Sequence, residues 1–163
     1  MIKKIDNNLQ FYFVNNFPSQ KKVYSFNKKL FFATISIGAN IGNCINRFKT
    51  LFQVLNRHSL IKIISTSPIL KNPPFGFLKQ NYFYNAVINI ATSLDLRAFF
   101  KYTKNLEKRF QRVKSFKNAP RTLDIDIIFF DNLNYVSKDL VVPHYDWKNR
   151  VSVVLPMSRM RVF

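Results

Sequence analysis

The chain has 163 residues, with 26 lysines and arginines against eight aspartates and glutamates, a formal charge of +18. That is one domain's length, and 47% hydrophobic and 16% aromatic residues can build a core, which excludes a disordered chain. A lone cysteine, Cys44, excludes an intrachain disulfide and a cysteine-rich zinc site, and no apolar run reaches membrane-spanning length.

Residues 1–29 are polar, rich in Asn and Lys, and show no sustained period, so they are expected to be an N-terminal extension ahead of a domain spanning 30–163. Their basic start resembles the first part of a signal peptide. The apolar stretch at 9–14 is too short and lacks a small-residue cleavage site, so a cytoplasmic location is expected. Residues 31–37 read as a buried strand and 38–42 as a turn. Asn43 caps a helix to about Arg57 with Ile45, Phe48, Phe52 and Leu55 on one face. A strand is expected over 60–66, a stiff proline-containing loop over 68–80, and a long strand over 82–92. Asp95 caps a helix to about Gln111 with Leu96, Phe99, Phe100, Thr103 and Leu106 as its apolar stripe. A basic loop over 112–120, a strand over 124–130, a turn region over 132–138 and a short helix over 151–157 complete the chain. The order β-α-β-β-α-β predicts an α+β fold: a ferredoxin-like sheet with helices packed on it, in three α/β/α layers.

The charge favours an anionic partner: nucleic acid, a membrane surface or a phosphorylated small molecule. Asp124 and Asp126 narrow this. Alternate strand positions face one side, so the two carboxylates project together, with Arg121 just before them. Two like charges so close call for a cation between them or for protonation of one, and a hard divalent ion completed by phosphate oxygens is the usual solution. Glu107, Arg112, Lys114, His144 and Arg150 add an acid and several cationic donors, the groups that phosphoryl transfer uses for positioning and charge neutralisation. Taken singly, Arg112 and Lys114 also fit a solvated charge run, His144 a turn residue, and Glu107 a helix-surface partner of Lys104 or Arg109.

Five segments in register then resemble the 6-hydroxymethyl-7,8-dihydropterin pyrophosphokinase family over residues 33–157. Ile37-Gly38-Ala39-Asn40-Ile41-Gly42 resembles the family's I-G-S-N-L-G, and Asn72-Pro73-Pro74-Phe75-Gly76 resembles T-P-P-x-G. The run from Gln80 to Val87 resembles Q-x-x-F/Y-x-N-A-V. Pro120-Arg121-Thr122-Leu123-Asp124-Ile125-Asp126-Ile127 is the strongest signature, and Val142-Pro143-His144-Tyr145 together with Asn149-Arg150 forms the fifth.

The resemblance implies transfer of the β,γ-diphosphate of ATP to the hydroxymethyl oxygen of 6-hydroxymethyl-7,8-dihydropterin, leaving AMP, within folate biosynthesis. It implies two Mg²⁺ ions held by Asp124 and Asp126. Arg112 and Arg121 are then the catalytic arginines. Asn72, Pro73, Phe75, Phe83 and Asn85 are the pterin contacts. Lys104, Glu107, Arg112, Lys114, Arg121, Ile127, His144, Tyr145 and Arg150 are the ATP contacts. The partners expected are these two small molecules, with no specific nucleic acid, no membrane and a monomeric chain.

The chain departs from the family at its catalytic loop, which is one residue short and lacks the family Trp and the Gly before Pro120. Lys114 replaces a common Arg and loses the bidentate fork. Ser152 stands where a second aromatic pterin wall is expected, with Trp147 as a substitute ring nearby. From the loop's composition, Arg121 is expected to be positioned before substrates arrive and Arg112 only on loop closure. Two alternatives remain: a basic RNA-binding module on the same kind of sheet, although the chain has no RNP-like motif and RNA binding gives no reason for the paired aspartates, and a catalytically weakened relative, against which Arg121, Asp124 and Asp126 argue.

Overall fold

The structure, a computed structural model, describes residues 1–21, 29–112 and 119–160. Its centre is β4 (Phe31–Ala39), flanked by β7 (Phe83–Thr92) and β8 (Asp124–Phe130). β4 pairs antiparallel with β7 from Phe31↔Thr92 to Ala39↔Tyr84, and with β8 from Ala33↔Phe130 to Gly38↔Asp124. The far edge of β7 carries two strands in turn: β5 (Ile61–Thr66) beside its second half and β6 (Ile69–Asn72) beside its first. The stretch expected to be a stiff loop over 68–80 therefore opens as strand. Likewise β4 continues two residues past the expected end, so the turn begins at Asn40. A separate two-stranded ribbon, β9 (Tyr135–Val136) with β10 (Val141–Val142), replaces part of the expected 132–138 turn region.

Alternation along β7 separates two cores. Ala86, Ile88 and Ile90 lie in the main cluster with Phe48, Leu51 and Leu55 of α1 (Cys44–Arg57) and Phe99 and Leu106 of α2 (Leu96–Arg109). Val87 belongs instead to a small cluster with Ile128 and with Val153 of α3 (Val151–Met157). So α1 and α2 cover one face of the sheet and α3 the other. Asn43 Oδ1 accepts the Asn46 N–H at 3.0 Å and Asp95 Oδ1 the Ala98 N–H at 2.8 Å, which starts both long helices where the sequence places their caps.

The N-terminal residues are built into this sheet rather than set apart from it. β1 (Ile2–Lys4) pairs with β2 (Gln10–Tyr12), β2 pairs with β6, and β3 (Ser19–Gln20) pairs with β5. Phe11 and Phe17 are fully buried, the latter against Phe48 and Phe52. Phe11 sits in a short apolar run and Phe17 beside Pro18, and the two together set no period, which is why their burial leaves no pattern in the sequence. Among the described residues, no helix is long and apolar enough to cross a membrane.

Candidate active site

Three strands meet at one end of the sheet: β4 at Gly38, β7 at Phe83 to Asn85, and β8 at Asp124 to Asp126. Asn85 and Asp126 each lie two positions from a residue of the small α3-side cluster, Val87 and Ile128. The functional side chains thus gather on the α3 face.

Each aspartate is held by arginines from elsewhere. Arg112, just after α2, sets its NH1 2.7 Å from Asp124 Oδ1 and 2.5 Å from Glu107 Oε1. Arg121 pairs with the other oxygen of Asp124, and its guanidinium lies over the Phe83 ring at 5.5 Å. Arg150, at the start of α3, bonds Asp126 Oδ2 at 2.8 Å and lies 3.6 Å from Asp146. Burial pushes the Asp124 carboxyl up, but Arg112 and Arg121 outweigh it and hold the pKa below the ordinary carboxylate value. Burial opposes the Arg112 charge in the same way, and Asp124 and Glu107 more than restore it. Arg112 is therefore held against Glu107 and Asp124, while the loop whose closure is expected to engage it, residues 113–118, lies outside the described residues. Lys114 lies outside the described residues.

Glu107 is almost fully buried, not a helix-surface residue. Its Oε1 takes the Lys104 ammonium at 2.9 Å, the Arg112 guanidinium and the backbone N–H of Ile125 at 2.8 Å. It is turned to the edge of β8 and is absent from the wall of the adjoining cavity. That cavity, about 220 Å³, lies between α2, β8, the loop joining β9 to β10 and the segment that follows β10. Lys104, Asp126, Ile127, His144 and Tyr145 line it. So do Lys138 and Leu140, which the sequence reading did not single out. His144 and Tyr145 stack at 4.8 Å. Burial and Arg150 lower the His144 pKa from the ordinary 6.5, against the pull of three aspartates, so the imidazole is neutral near pH 7.

The expected pterin contacts divide. Asn85 Nδ2 donates to Asn72 Oδ1 at 2.6 Å, and Asn72 Nδ2 donates to Pro73 O at 2.8 Å. Asn72, Pro73, Phe83 and Asn85 thus form one cluster. Phe75, 87% exposed, stands apart from it. Trp147, the expected substitute ring, packs edge-on against Phe129 at 4.9 Å in the α3-side core.

Two residues of the first motif emerge only in three dimensions. Asn40, 3% exposed, accepts the Arg121 N–H on its Oδ1 at 2.8 Å and donates from Nδ2 to Gln80 and Asn81. A Cβ on Gly38 would come 2.8 Å from Asn85 Oδ1, so only glycine leaves room for that amide. The motif itself was the signal: a glycine and an asparagine two positions apart at a strand end.

Carboxylates ringed by arginines beside a polar cavity define an enzyme that handles phosphates. The chain belongs to the 7,8-dihydro-6-hydroxymethylpterin-pyrophosphokinase family, whose model matches residues 34–162. It is 44% identical over 142 residues to the 2-amino-4-hydroxy-6-hydroxymethyldihydropteridine pyrophosphokinase of Helicobacter pylori, covering 84% of this chain and 87% of that one. It is 45% identical over 128 residues to the Campylobacter jejuni enzyme of the same name (78% and 82% covered) and 29% identical over 128 residues to that of Bacillus subtilis (78% and 77%).

Proposed function

We propose that this chain transfers the diphosphate of ATP to the hydroxymethyl group of 6-hydroxymethyl-7,8-dihydropterin in folate biosynthesis. The hydroxymethyl oxygen forms a bond to the β-phosphorus and loses its proton. The bond from that phosphorus to the α,β-bridging oxygen breaks, and AMP leaves. The observation that carries the reading is the placement of Arg112, Arg121 and Arg150, from three separate segments, on a carboxylate pair between the Lys104–His144 cavity and the Asn72–Asn85 cluster.

The cavity suits the nucleotide: Lys104 supplies charge, Ile127 an apolar wall, and His144 and Tyr145 a stacked pair at its mouth. The Asn72–Asn85 pair leaves Asn85 Oδ1 as an acceptor over Gly38, suited to the amino-bearing edge of a pterin, with Phe83 as a flat wall. Arg112 and Arg121 neutralise carboxylates in the free protein and are placed to turn to the phosphates.

The donor chemistry fits Mg²⁺. Asp124 and Asp126 offer hard oxygens on one strand face, and among the described residues no third acidic, His or Cys ligand joins them. Phosphate oxygens and water would complete the shells of two ions. When bound, Mg²⁺ would supply charge neutralisation along the triphosphate. The strand order β8–β4–β7–β5/β6, with α1 and α2 on one face, supports a ferredoxin-like description with α3 as the third layer. A monomer in the cytoplasm fits these substrates.

The deciding assay measures AMP and pterin diphosphate formation with both substrates present. AMP that requires ATP, the reduced hydroxymethylpterin and Mg²⁺ is expected. Release of ADP, or turnover indifferent to the pterin, overturns the reading.

A further inference from the structure

We infer that the N-terminal hairpin β1–β2 positions the pterin-binding strands by gripping their reverse side. The inference rests on the function proposed above. Residues 73–82 leave the sheet after Asn72 and return at Phe83, and these two residues pair directly across β6 and β7. Both stems of that excursion are held by the N-terminal residues. On one stem, Gln10 pairs with Lys71 and Phe11 with Leu70, so β2 covers what is otherwise an open strand edge. On the other, the Tyr82 hydroxyl donates to Asn8 Oδ1 at 3.2 Å.

Asn8 is presented by a built turn. Asp6 Oδ1 accepts the N–H groups of Asn8 at 2.7 Å and Leu9 at 2.8 Å. Between the stems, Tyr12 meets Tyr84 edge-on at 5.6 Å, and the Lys71 ammonium lies 5.4 Å from the Tyr82 ring and 6.0 Å from that of Tyr84. Burial, reinforced by Tyr12, pushes the Tyr84 hydroxyl up to about 12, consistent with this packing.

Side chains alternate along a strand. Tyr82 and Tyr84 point one way, while Phe83 and Asn85, between and beside them, point to the site. Lys71 likewise adjoins Asn72. The hairpin thus grips three residues whose immediate neighbours are proposed to touch the pterin. Fixing one face of a pleated pair fixes the other, so the hairpin acts on pterin binding while standing clear of the phosphate-handling arginines.

The test uses the full chain and three variants: Asn8→Ala, Asn8→Asp, which keeps the acceptor for Tyr82, and Asn8→Ala combined with Tyr12→Leu. The KM for the hydroxymethyldihydropterin should rise about threefold in Asn8→Ala and about tenfold in the double variant, with kcat and the KM for ATP unchanged. Asn8→Asp should restore the parental KM. Amide exchange at residues 72–85 should quicken in parallel while β4 stays protected. Asn8 lies on an exposed turn, so its variants fold even where the double variant does not. A parental chain without pterin-dependent AMP formation overturns the function itself. An active parent whose variants keep the parental KM and exchange overturns only the brace.

Discussion

The buried carboxylate of Glu107, on α2, accepts the backbone N–H of Ile125, on β8, at 2.8 Å. β8 is an edge strand, and Ile125 lies between the two aspartates, so one side chain both caps the edge and fixes the carboxylate pair. The same oxygen holds Lys104 and Arg112. Glu107→Ala should therefore cost roughly 3 kcal/mol, because it strands a buried N–H and removes the counter-charge of two cations. Glu107→Gln keeps an acceptor for Ile125 and should cost less than half of that. Urea unfolding of the two variants checks the order; equal losses would show that the ion pairs alone matter.

Gly38 offers a second prediction. With 2.8 Å between its notional Cβ and Asn85 Oδ1, Gly38→Ala must push the Asn85 amide off Asn72 or shift β7. A stability loss of about 1–3 kcal/mol is expected. The pterin KM should rise and the KM for ATP should hold. Unchanged pterin affinity in a folded Gly38→Ala protein would remove Asn85 from the pterin site.

The strands and helices that carry the site were legible because their residues obey local rules. The cap residues Asn43 and Asp95 and the apolar stripes of α1 and α2 place both helices to within two residues. Phe11 and Phe17 obey no period, and β6 hides among prolines because it is a short segment and one of its two partners, β2, lies far back in the sequence. In the site, the paired aspartates follow from strand alternation alone. That Arg112 is already docked does not, because its partner Glu107 is defined only once α2 packs beside β8. The Asn40 link to Arg121 spans 81 residues and leaves no local trace.

His144 sets a pH window. Burial and Arg150 hold its pKa below the ordinary 6.5, outweighing Asp126, Asp146 and Asp124. The unfolded chain then binds more protons than the folded one between the lowered value and 6.5. Its contribution is fully present above 6.5 and is lost as the pH falls through the folded value. Urea midpoints should decline as pH falls from neutrality through that window, and His144→Gln should flatten this part of the curve. A histidine NMR titration that places His144 above 6.5 would reverse the sign.

The two loop arginines differ in what each surrenders to reach a phosphate. In the proposed reading Arg112 would leave charge-assisted bonds to Glu107 and Asp124, so a ground-state contact with ATP would replace bonds it already has. Such an exchange adds little net affinity, and the benefit appears where charge develops in transfer. Arg112→Ala should lower kcat at least about a hundredfold, close to 3 kcal/mol of barrier, with the affinity for a non-hydrolysable ATP analogue within about threefold of the parent. Arg121 also lies over Phe83 at 5.5 Å, and its backbone N–H is tied to Asn40, so in the proposed reading it would adjoin the pterin as well as the phosphates. Arg121→Ala should therefore slow transfer and weaken pterin binding together. Single-turnover rates and equilibrium titrations of both ligands on each variant separate the two. Parental transfer by Arg112→Ala would mean that its docking on Glu107 and Asp124 is structural alone, and that Arg121 and Arg150 carry the phosphate charge without it.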